Sequence, residues 1–320
     1  MIYSNSQEIG GYFGLELNKG KEYYPDLIKL NTGRNCLEYI LRIRKYSKIY
    51  IPYFTCEVIL EPLRKLNIEF EFYSIDENLD ILFNQDLREE EAILVNNYFG
   101  IKDKEIVMYS KKYKNIIVDN SQAFYHKPLN RIDTFYSPRK FFGVPDGAYL
   151  SSCKELDEDF ERDVSYNRMS HLLKRLDVSA SHGYSEFKKN DAILIEQPIK
   201  KISNLTRKIL SSIEYENVKM IRERNFKYLH SVLKEYNGIN IDISDLNGPM
   251  VYPYLSSNSG RLKKILIQNR IYVATYWPNV LNWCDTDSIE NKITTRLLPL
   301  PVDQRYGKSD MDIIIKILEV

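Results

Sequence analysis

One lysine stands in an aromatic loop, Tyr136-Ser137-Pro138-Arg139-Lys140-Phe141-Phe142-Gly143, which runs through Val144-Pro145-Asp146-Gly147 into the apolar stretch Ala148-Tyr149-Leu150. Lysine is rarely buried without a reason. Packed among Tyr136, Phe141 and Phe142, Lys140 would be desolvated, its pKa would fall, and a neutral nucleophilic amine would become accessible. The plainer alternative is a solvent-facing loop lysine beside Arg139. Asp119 gives the lysine a chemical partner: it closes a strand-like run and opens Asp119-Asn120-Ser121-Gln122-Ala123-Phe124. A lysine that forms a Schiff base, with an acid that pairs with a pyridinium nitrogen, is the minimal machinery for pyridoxal phosphate. Taken alone, Asp119 also reads as a helix cap after a strand. A third element, Leu30-Asn31-Thr32-Gly33-Arg34-Asn35, precedes the first clear helix. Its small and polar residues would offer backbone N–H groups to a phosphate, although ordinary helix caps look the same.

The elements that must position these residues alternate. Apolar residues Leu37, Ile40, Leu41 and Ile43 trace a helical stripe over residues 35–46, and Lys48-Ile49-Tyr50-Ile51-Pro52 is a β-rich run stopped by proline. Residues 56–66 read as helix and Glu69-Phe70-Glu71-Phe72-Tyr73 as a half-buried strand. A strand Ala92-Ile93-Leu94-Val95, a helix over 103–113 and a strand Asn115-Ile116-Ile117-Val118-Asp119 follow. Repeated βα units of this length predict an α/β fold with a mainly parallel sheet covered by helices on both faces. Ligands of such sheets gather at the carboxyl ends of the strands, which is where Asp119 falls. The stretch 154–174 is strongly charged, and 202–236 reads as long helices interrupted near Ser211-Ser212. Short strands return at Val251-Tyr252-Pro253-Tyr254 and Ile271-Tyr272-Val273-Ala274, before a last helix over 310–318. Asn and Gly cluster between Gly238 and Gly248, which sets an expected boundary between a large domain (1–240) and a smaller C-terminal α+β domain (241–320).

In this order the segments resemble the sugar aminotransferases of the DegT/DnrJ/EryC1/StrS family. Asn31-Thr32-Gly33-Arg34-Asn35 is similar to the family's Ser-Gly-Thr-like helix start, Val118-Asp119-Asn120-Ser121-Gln122 to its Glu-Asp-Ala-Ala-Gln-like strand end, and Lys140 with Pro145-Asp146-Gly147-Ala148 to its lysine and Gly-Glu-Gly-Gly-like turn. Ile51-Pro52-Tyr53-Phe54-Thr55, Asn97-Tyr98-Phe99-Gly100 and Arg296-Leu297-Leu298-Pro299-Leu300-Pro301 look like three further family segments, and the resemblance runs from about Gly10 to the end, thinning between 155 and 245. It implies the fold type I architecture of pyridoxal phosphate-dependent transferases. It also implies transfer of an amino group, from glutamate as donor, to a nucleotide-linked keto-sugar in surface polysaccharide or amino-sugar biosynthesis. Lys140 would be the Schiff-base lysine and proton shuttle, and Asp119 would keep the ring nitrogen protonated. Gln122 would contact the ring hydroxyl side. Thr32, Gly33 and Arg34 would meet the phosphate, with Ser137 as a second phosphate ligand. Phe54, or Tyr53, would take the ring-stacking place, where Cys56 could not stack. Sites of this fold type are completed at a two-fold interface, so a homodimer is expected.

The chain departs from the family pattern in places. It is shorter than most members, and its acidic turn carries Pro145 and Ala148 where glycines are common. The family's Asn-Tyr-Arg-Met segment, which reaches the partner subunit's site, has no clean counterpart. Tyr166-Asn167-Arg168-Met169-Ser170 fits in letters but comes early after Lys140, whereas Lys201-Ile202-Ser203-Asn204 fits in position and poorly in letters. Two alternatives therefore stand beside transamination. One is a sugar-modifying enzyme with the same cofactor, such as a dehydratase, against which Lys140 speaks because those relatives replace the lysine. The other is a catalytically inactive scaffold or regulator that retains the fold.

Composition excludes other classes. With 45 Lys+Arg against 44 Asp+Glu the net charge is +1, so no overall field draws the chain to nucleic acid or anionic membrane. A 43% hydrophobic content with only 13 Gly and 12 Pro indicates a packed globular chain. No apolar run approaches the ~20 residues of a membrane helix. Residues 1–8 lack the basic start and apolar stretch of a signal peptide. Cys36, Cys56, Cys153 and Cys284 lie far apart and read as reduced thiols of a cytoplasmic protein. His126, His171, His182 and His230 lack metal-site spacing, so no metal is expected. Glu89-Glu90-Glu91 reads as solvated, and Trp277 as either a substrate-side or a core aromatic.

Overall fold

Eight strands form one sheet: β1 (Ile28–Leu30), β2 (Lys48–Pro52), β3 (Glu69–Ile75), β4 (Ile81–Leu82), β5 (Glu91–Asn96), β6 (Ile116–Asp119), β7 (Asp133–Tyr136) and β8 (Ala148–Ser151). Their order in the computed structural model, which describes residues 9–318, is β1-β8-β7-β6-β5-β2-β3-β4. The opening segment 1–8, read above for leader features, lies outside the described residues. Strands β3, β2, β5, β6 and β7 pair in parallel, while β4, β8 and β1 add antiparallel edges. The central strand β5 is buried almost end to end, as a strand covered on both faces must be.

Helix α1 (Gly33–Arg44) starts where Thr32, in extended conformation, accepts the Asn35 N–H on its hydroxyl, and it ends where Lys45 turns left-handed. Arg42 and Arg44 complement the negative end of the helix dipole. Its Cys36, Leu37, Ile40 and Leu41 are buried against one face of the sheet with Leu60 and Leu63 of α2 (Leu60–Lys65). Each leucine or isoleucine so buried contributes about 1.5–3 kcal/mol. The opposite face carries α3 (Asp103–Lys112) and, beyond the hairpin-forming pair α4 (Ser170–Asp177) and α5 (Ala180–Ile193) and the short α6 (Asn204–Ser211), the long α7 (Tyr215–Leu233). Ile106 and Tyr109 of α3 and Phe226 and Leu229 of α7 join Ile93, Val95 and Val118 in that second core.

The C-terminal part holds α8 (Ser259–Gln268), α9 (Val280–Trp283), α10 (Ile289–Arg296) and α11 (Lys308–Leu318) around a two-stranded antiparallel sheet, β9 (Val251–Leu255) with β10 (Leu297–Pro301). The fold is thus α/β, a mostly parallel sheet plus a small antiparallel one. The strand expected over 271–274 is absent. Val273 is buried between exposed Tyr272 and Ala274, which gives the alternation of a strand, but the segment has no strand to pair with. Instead the Ile271 N–H donates to the Leu266 carbonyl at 2.8 Å and closes α8. The α4–α5 pair was not legible in the charged middle of the chain. Its close approach depends on Gly183, where a Cβ would lie 2.6 Å from the His171 carbonyl oxygen. Among the described residues no helix is long and apolar enough to cross a membrane.

Candidate active site

Parallel strands bring their carboxyl ends to one edge of the sheet, and the residues singled out from the sequence follow those ends. Asp119 closes β6 beside Asn96 of β5, its register partner. The turn Pro138–Lys140 follows β7. Residues 53–56 follow β2. Strand β1 is antiparallel to β8, which is antiparallel to β7, so β1 ends at this same edge and delivers the N-terminus of α1 there. A Cβ at Gly33 would lie 3.6 Å from the Ser121 hydroxyl, two residues past Asp119.

The half-buried Asp119 accepts the Ser121 N–H at 2.7 Å. Burial pushes its carboxyl above the usual range, opposed first by the Lys140 charge and then by Ser121. Lys140 itself is exposed, and its ammonium has no hydrogen-bond or ion-pair partner among the described residues. The expectation of a desolvated amine is corrected here. Tyr136, Phe141 and Phe142 turn inward into the aromatic core around Phe124 and Tyr215, and the turn that buries them leaves Lys140 facing out. Cys56, half-buried, lies within the fields of Lys140, Arg34 and Asp119. Burial raises its thiol pKa, while the Val58 N–H, Lys140 and Arg34 oppose the rise.

Gln122 is buried. Its Oε1 accepts the Phe99 N–H at 3.0 Å, and its Nε2 has no partner among the described residues. At the start of α1 the N–H groups of Gly33 and Arg34 precede the first intrahelical bonds and have no other acceptor among the described residues. Thr32 contributes differently from expectation: its hydroxyl is committed to Asn35, accepting the N–H at 3.1 Å and donating to Oδ1 at 2.8 Å. The Arg34 guanidinium is likewise engaged, by Glu61 at 2.8 Å. The Ser137 hydroxyl, half-buried, makes no hydrogen bond among the described residues. Phe54 is turned into the core. Its fully buried ring packs on Trp277 (centroids 5.0 Å apart) and Tyr98 (5.4 Å), which makes both Phe54 and Trp277 core residues. Tyr53 stacks on Phe72 at 4.7 Å. The half-buried Tyr276 lies within the field of Cys56, its pKa pushed up to about 12 by burial and then by that thiol.

The turn after Lys140 is held by groups the sequence did not reveal. Asp146, fully buried, accepts the Ser203 N–H at 2.9 Å, the Ser203 hydroxyl at 2.7 Å and the Thr206 hydroxyl, and so caps α6. Gly147, at φ 112°, gives its N–H to the Asn31 carbonyl at 2.6 Å, and a Cβ there would lie 2.8 Å from Ile202 Cδ1. The Asn190 amide of α5 donates to the Pro145 carbonyl at 2.9 Å, and Arg139 pairs with Asp191. Segment 197–203 lies along the start of α1, where Asn31 donates to the Lys200 carbonyl at 2.9 Å and Asn35 to Pro198 at 2.6 Å. Tyr166–Arg168 is instead a separate turn in which Arg168 pairs with Asp163 at 2.6 Å. Of the two stretches, 197–203 is the one that lies against the α1 N-terminus of its own chain.

No protein-family model matches the chain, and no curated protein matches it. Solved structures do. A DegT DnrJ EryC1 StrS aminotransferase from Brucella abortus is 16% identical with a TM-score of 0.59, over 92% of this chain and 85% of that one. This chain has their fold. The sugar aminotransferase CalS13 from Micromonospora echinospora matches at 13% identity and a TM-score of 0.59, covering 92% of this chain and 87% of its own. Spr1654 from Streptococcus pneumoniae, in its PLP-form, matches at 13% identity and 0.60, covering 91% and 86%.

Proposed function

We propose that this protein is a pyridoxal phosphate-dependent aminotransferase that moves an amino group from an amino-acid donor, glutamate by likeness to the family, to a nucleotide-linked keto-sugar. One observation carries the reading. The polar groups gathered at the carboxyl edge are those whose hydrogen-bonding capacity the chain itself leaves unused: the Lys140 amine, the Gln122 Nε2, the Ser137 hydroxyl and the first N–H groups of α1. A buried donor such as Gln122 Nε2 is costly to leave unpaired, so a ligand is the natural partner.

The residues fit the cofactor. The N–H groups of Gly33 and Arg34, at the positive end of α1, and the Ser137 hydroxyl would hold its phosphate. Gln122 would donate to the ring oxygen, and Asp119 would keep a proton on the ring nitrogen. When bound, the cofactor supplies an electron sink for the amino-acid carbanion. Lys140 would anchor it and move the proton, a role its exposed, unpaired amine allows. The Lys140 charge opposes the rise that burial imposes on the Asp119 carboxyl, and a protonated ring nitrogen would oppose it further.

Borohydride reduction of protein prepared with the cofactor, followed by peptide mapping, tests the reading: the label belongs on Lys140. A label on another lysine would misplace the site. Protein with neither label nor visible band would favour the inactive scaffold, a reading that the Pro145 and Ala148 departures in the acidic turn motivate. A homodimer is part of the proposal. Ile9, Tyr12 and Phe13 are 97%, 97% and 94% exposed on an extended arm, apolar surface that a second copy would cover. Light scattering at micromolar concentration should give twice the chain mass, and a monomer would count against a complete site.

A further inference from the structure

Arg222, on α7, is only 1% exposed, yet among the described residues no carboxylate stands within ion-pairing distance of it. The acid whose field it feels, Asp303, is taken by Arg305 at 2.6 and 2.8 Å. Burial pulls the guanidinium down to about 10, which leaves it charged at neutral pH. Its acceptors are neutral: Nη1 donates to the Pro249 and Met250 carbonyls at 3.1 and 3.2 Å, Nη2 to the Phe141 carbonyl at 3.3 Å, and Nε to Gln304 Oε1 at 3.0 Å. The guanidinium also lies 4.6 Å from the centre of the Phe141 ring. Gln304 adds a second donor to the Phe141 carbonyl at 2.8 Å. The residue immediately after Lys140 is therefore held twice at its carbonyl and once at its ring.

The other arm of the guanidinium leads back to the site. The Met250 N–H donates to the Phe99 carbonyl at 2.8 Å, and the Phe99 N–H donates to Gln122 Oε1 at 3.0 Å. An unbroken chain of hydrogen bonds runs from Gln122 through Phe99, Met250 and Arg222 to Phe141. Burying a charge among carbonyls is an expensive way to pack a helix. A planar fork that reaches two backbone segments and the Gln304 side chain at once is what the cost secures, and a lysine could not supply it. Attachment of α7 to the C-terminal segment is separately provided by Asn225, whose Nδ2 donates to the Val302 and Tyr306 carbonyls at 3.2 and 2.9 Å.

We infer that Arg222, with Gln304, is a positioning residue that fixes the Lys140 turn relative to Gln122, and so sets where the lysine amine stands over the site. The inference rests on the reading of Lys140 as the cofactor-anchoring lysine. Arg222→Lys and Gln304→Leu are compared with Asn225→Leu, which loosens the same helix without touching the Lys140 turn. In cofactor-free protein, amide hydrogen exchange across 138–144 should speed up about tenfold in the first two variants, the loss of roughly one hydrogen bond, and stay unchanged in the third. With pyridoxal phosphate added, the first two should bind it about tenfold more weakly and shift the pH midpoint of the visible band, while Asn225→Leu only melts earlier. If Arg222→Lys fails to fold, Gln304→Leu carries the test. Arg222 and Gln304 variants that merely melt earlier, with exchange and band midpoint as in wild type, would overturn the inference. Wild-type protein with no visible band would sink the functional reading, and the exchange measurement on cofactor-free protein would still decide the clamp.

Discussion

Asp119 and Asp146 are both acids in turns that the sequence marks as chemically interesting, and their surroundings differ completely. Asp146 is fully buried and receives three hydrogen bonds, from Ser203 and Thr206, so its capacity is used in capping α6. Asp119 is half-buried, receives the Ser121 N–H, and stands opposite an unpaired Lys140. The first is a fastener and the second a group in waiting. Residue type and motif do not separate the two roles. The supply of donors does.

The largest effect that would test this contrast is expected at Lys140. Lys140→Ala should abolish the visible band and amino transfer together while leaving the fold intact, because an exposed amine supports no core packing. Arg139 cannot substitute, being permanently protonated. Circular dichroism, a thermal melt and the absorbance spectrum check it, and a retained band would remove Lys140 from the site.

The two aspartates should then respond in opposite ways. Asp119→Asn should keep cofactor binding and lower amino transfer by roughly two orders of magnitude or more, by losing the charge that holds the ring proton. Without cofactor the same change should raise the melting temperature at neutral pH. An acid whose pKa is raised on folding favours the native state below its ordinary value, about pH 4, and that contribution is lost as pH rises through the raised folded value. The gain in the Asn variant should therefore shrink on acidification toward that value. Melting curves across pH decide it, and a lower melting temperature at neutral pH would make Asp119 a stabilising group.

Asp146→Asn should do the reverse. It leaves the buried donors of Ser203 and Thr206 facing an amide and should cost about 3 kcal/mol in denaturant titration, with cofactor affinity falling only as the fold does. A variant of wild-type stability would dissolve the contrast with Asp119.

The smallest effect is expected at Gly33. Its Cβ position stands in ordinary contact with Ser121 and Phe135, at 3.6 and 3.7 Å. Gly33→Val should therefore leave the cofactor-free protein near wild-type stability, yet crowd the N–H groups proposed to hold a phosphate. About a tenfold loss of cofactor affinity is the expected reading by spectroscopic titration. Unchanged affinity would move the phosphate site toward Ser137.

Much of the sheet was legible in the chain. Strands β2, β5 and β6 and helices α1 and α3 carry periodicities that are local properties of a few consecutive residues, and they fall where those periodicities placed them. The same signal failed over 271–274, because alternation describes a half-buried extended chain and pairing needs a neighbour. At the site, the residue types of Lys140, Asp119 and Gln122 could be read as a set, as could the glycine before a helix. Their states could not. Lys140 turned out exposed, Phe54 went to the core, and the Thr32 hydroxyl was already spent on its own helix. Arg222 carried no signal at all, being one arginine in a charged helical run.

By itself the sequence determined the kinds of element, their order, and which side chains could do chemistry, since backbone preference and side-chain functional groups travel with the residue. Only the tertiary structure decided which of those groups find partners within the chain and which are left for a ligand. Pairing is a matter of distance between segments far apart in sequence: Asp146 meets Ser203, Gln122 meets Phe99, and Arg222 meets Phe141, each by the packing of separate elements.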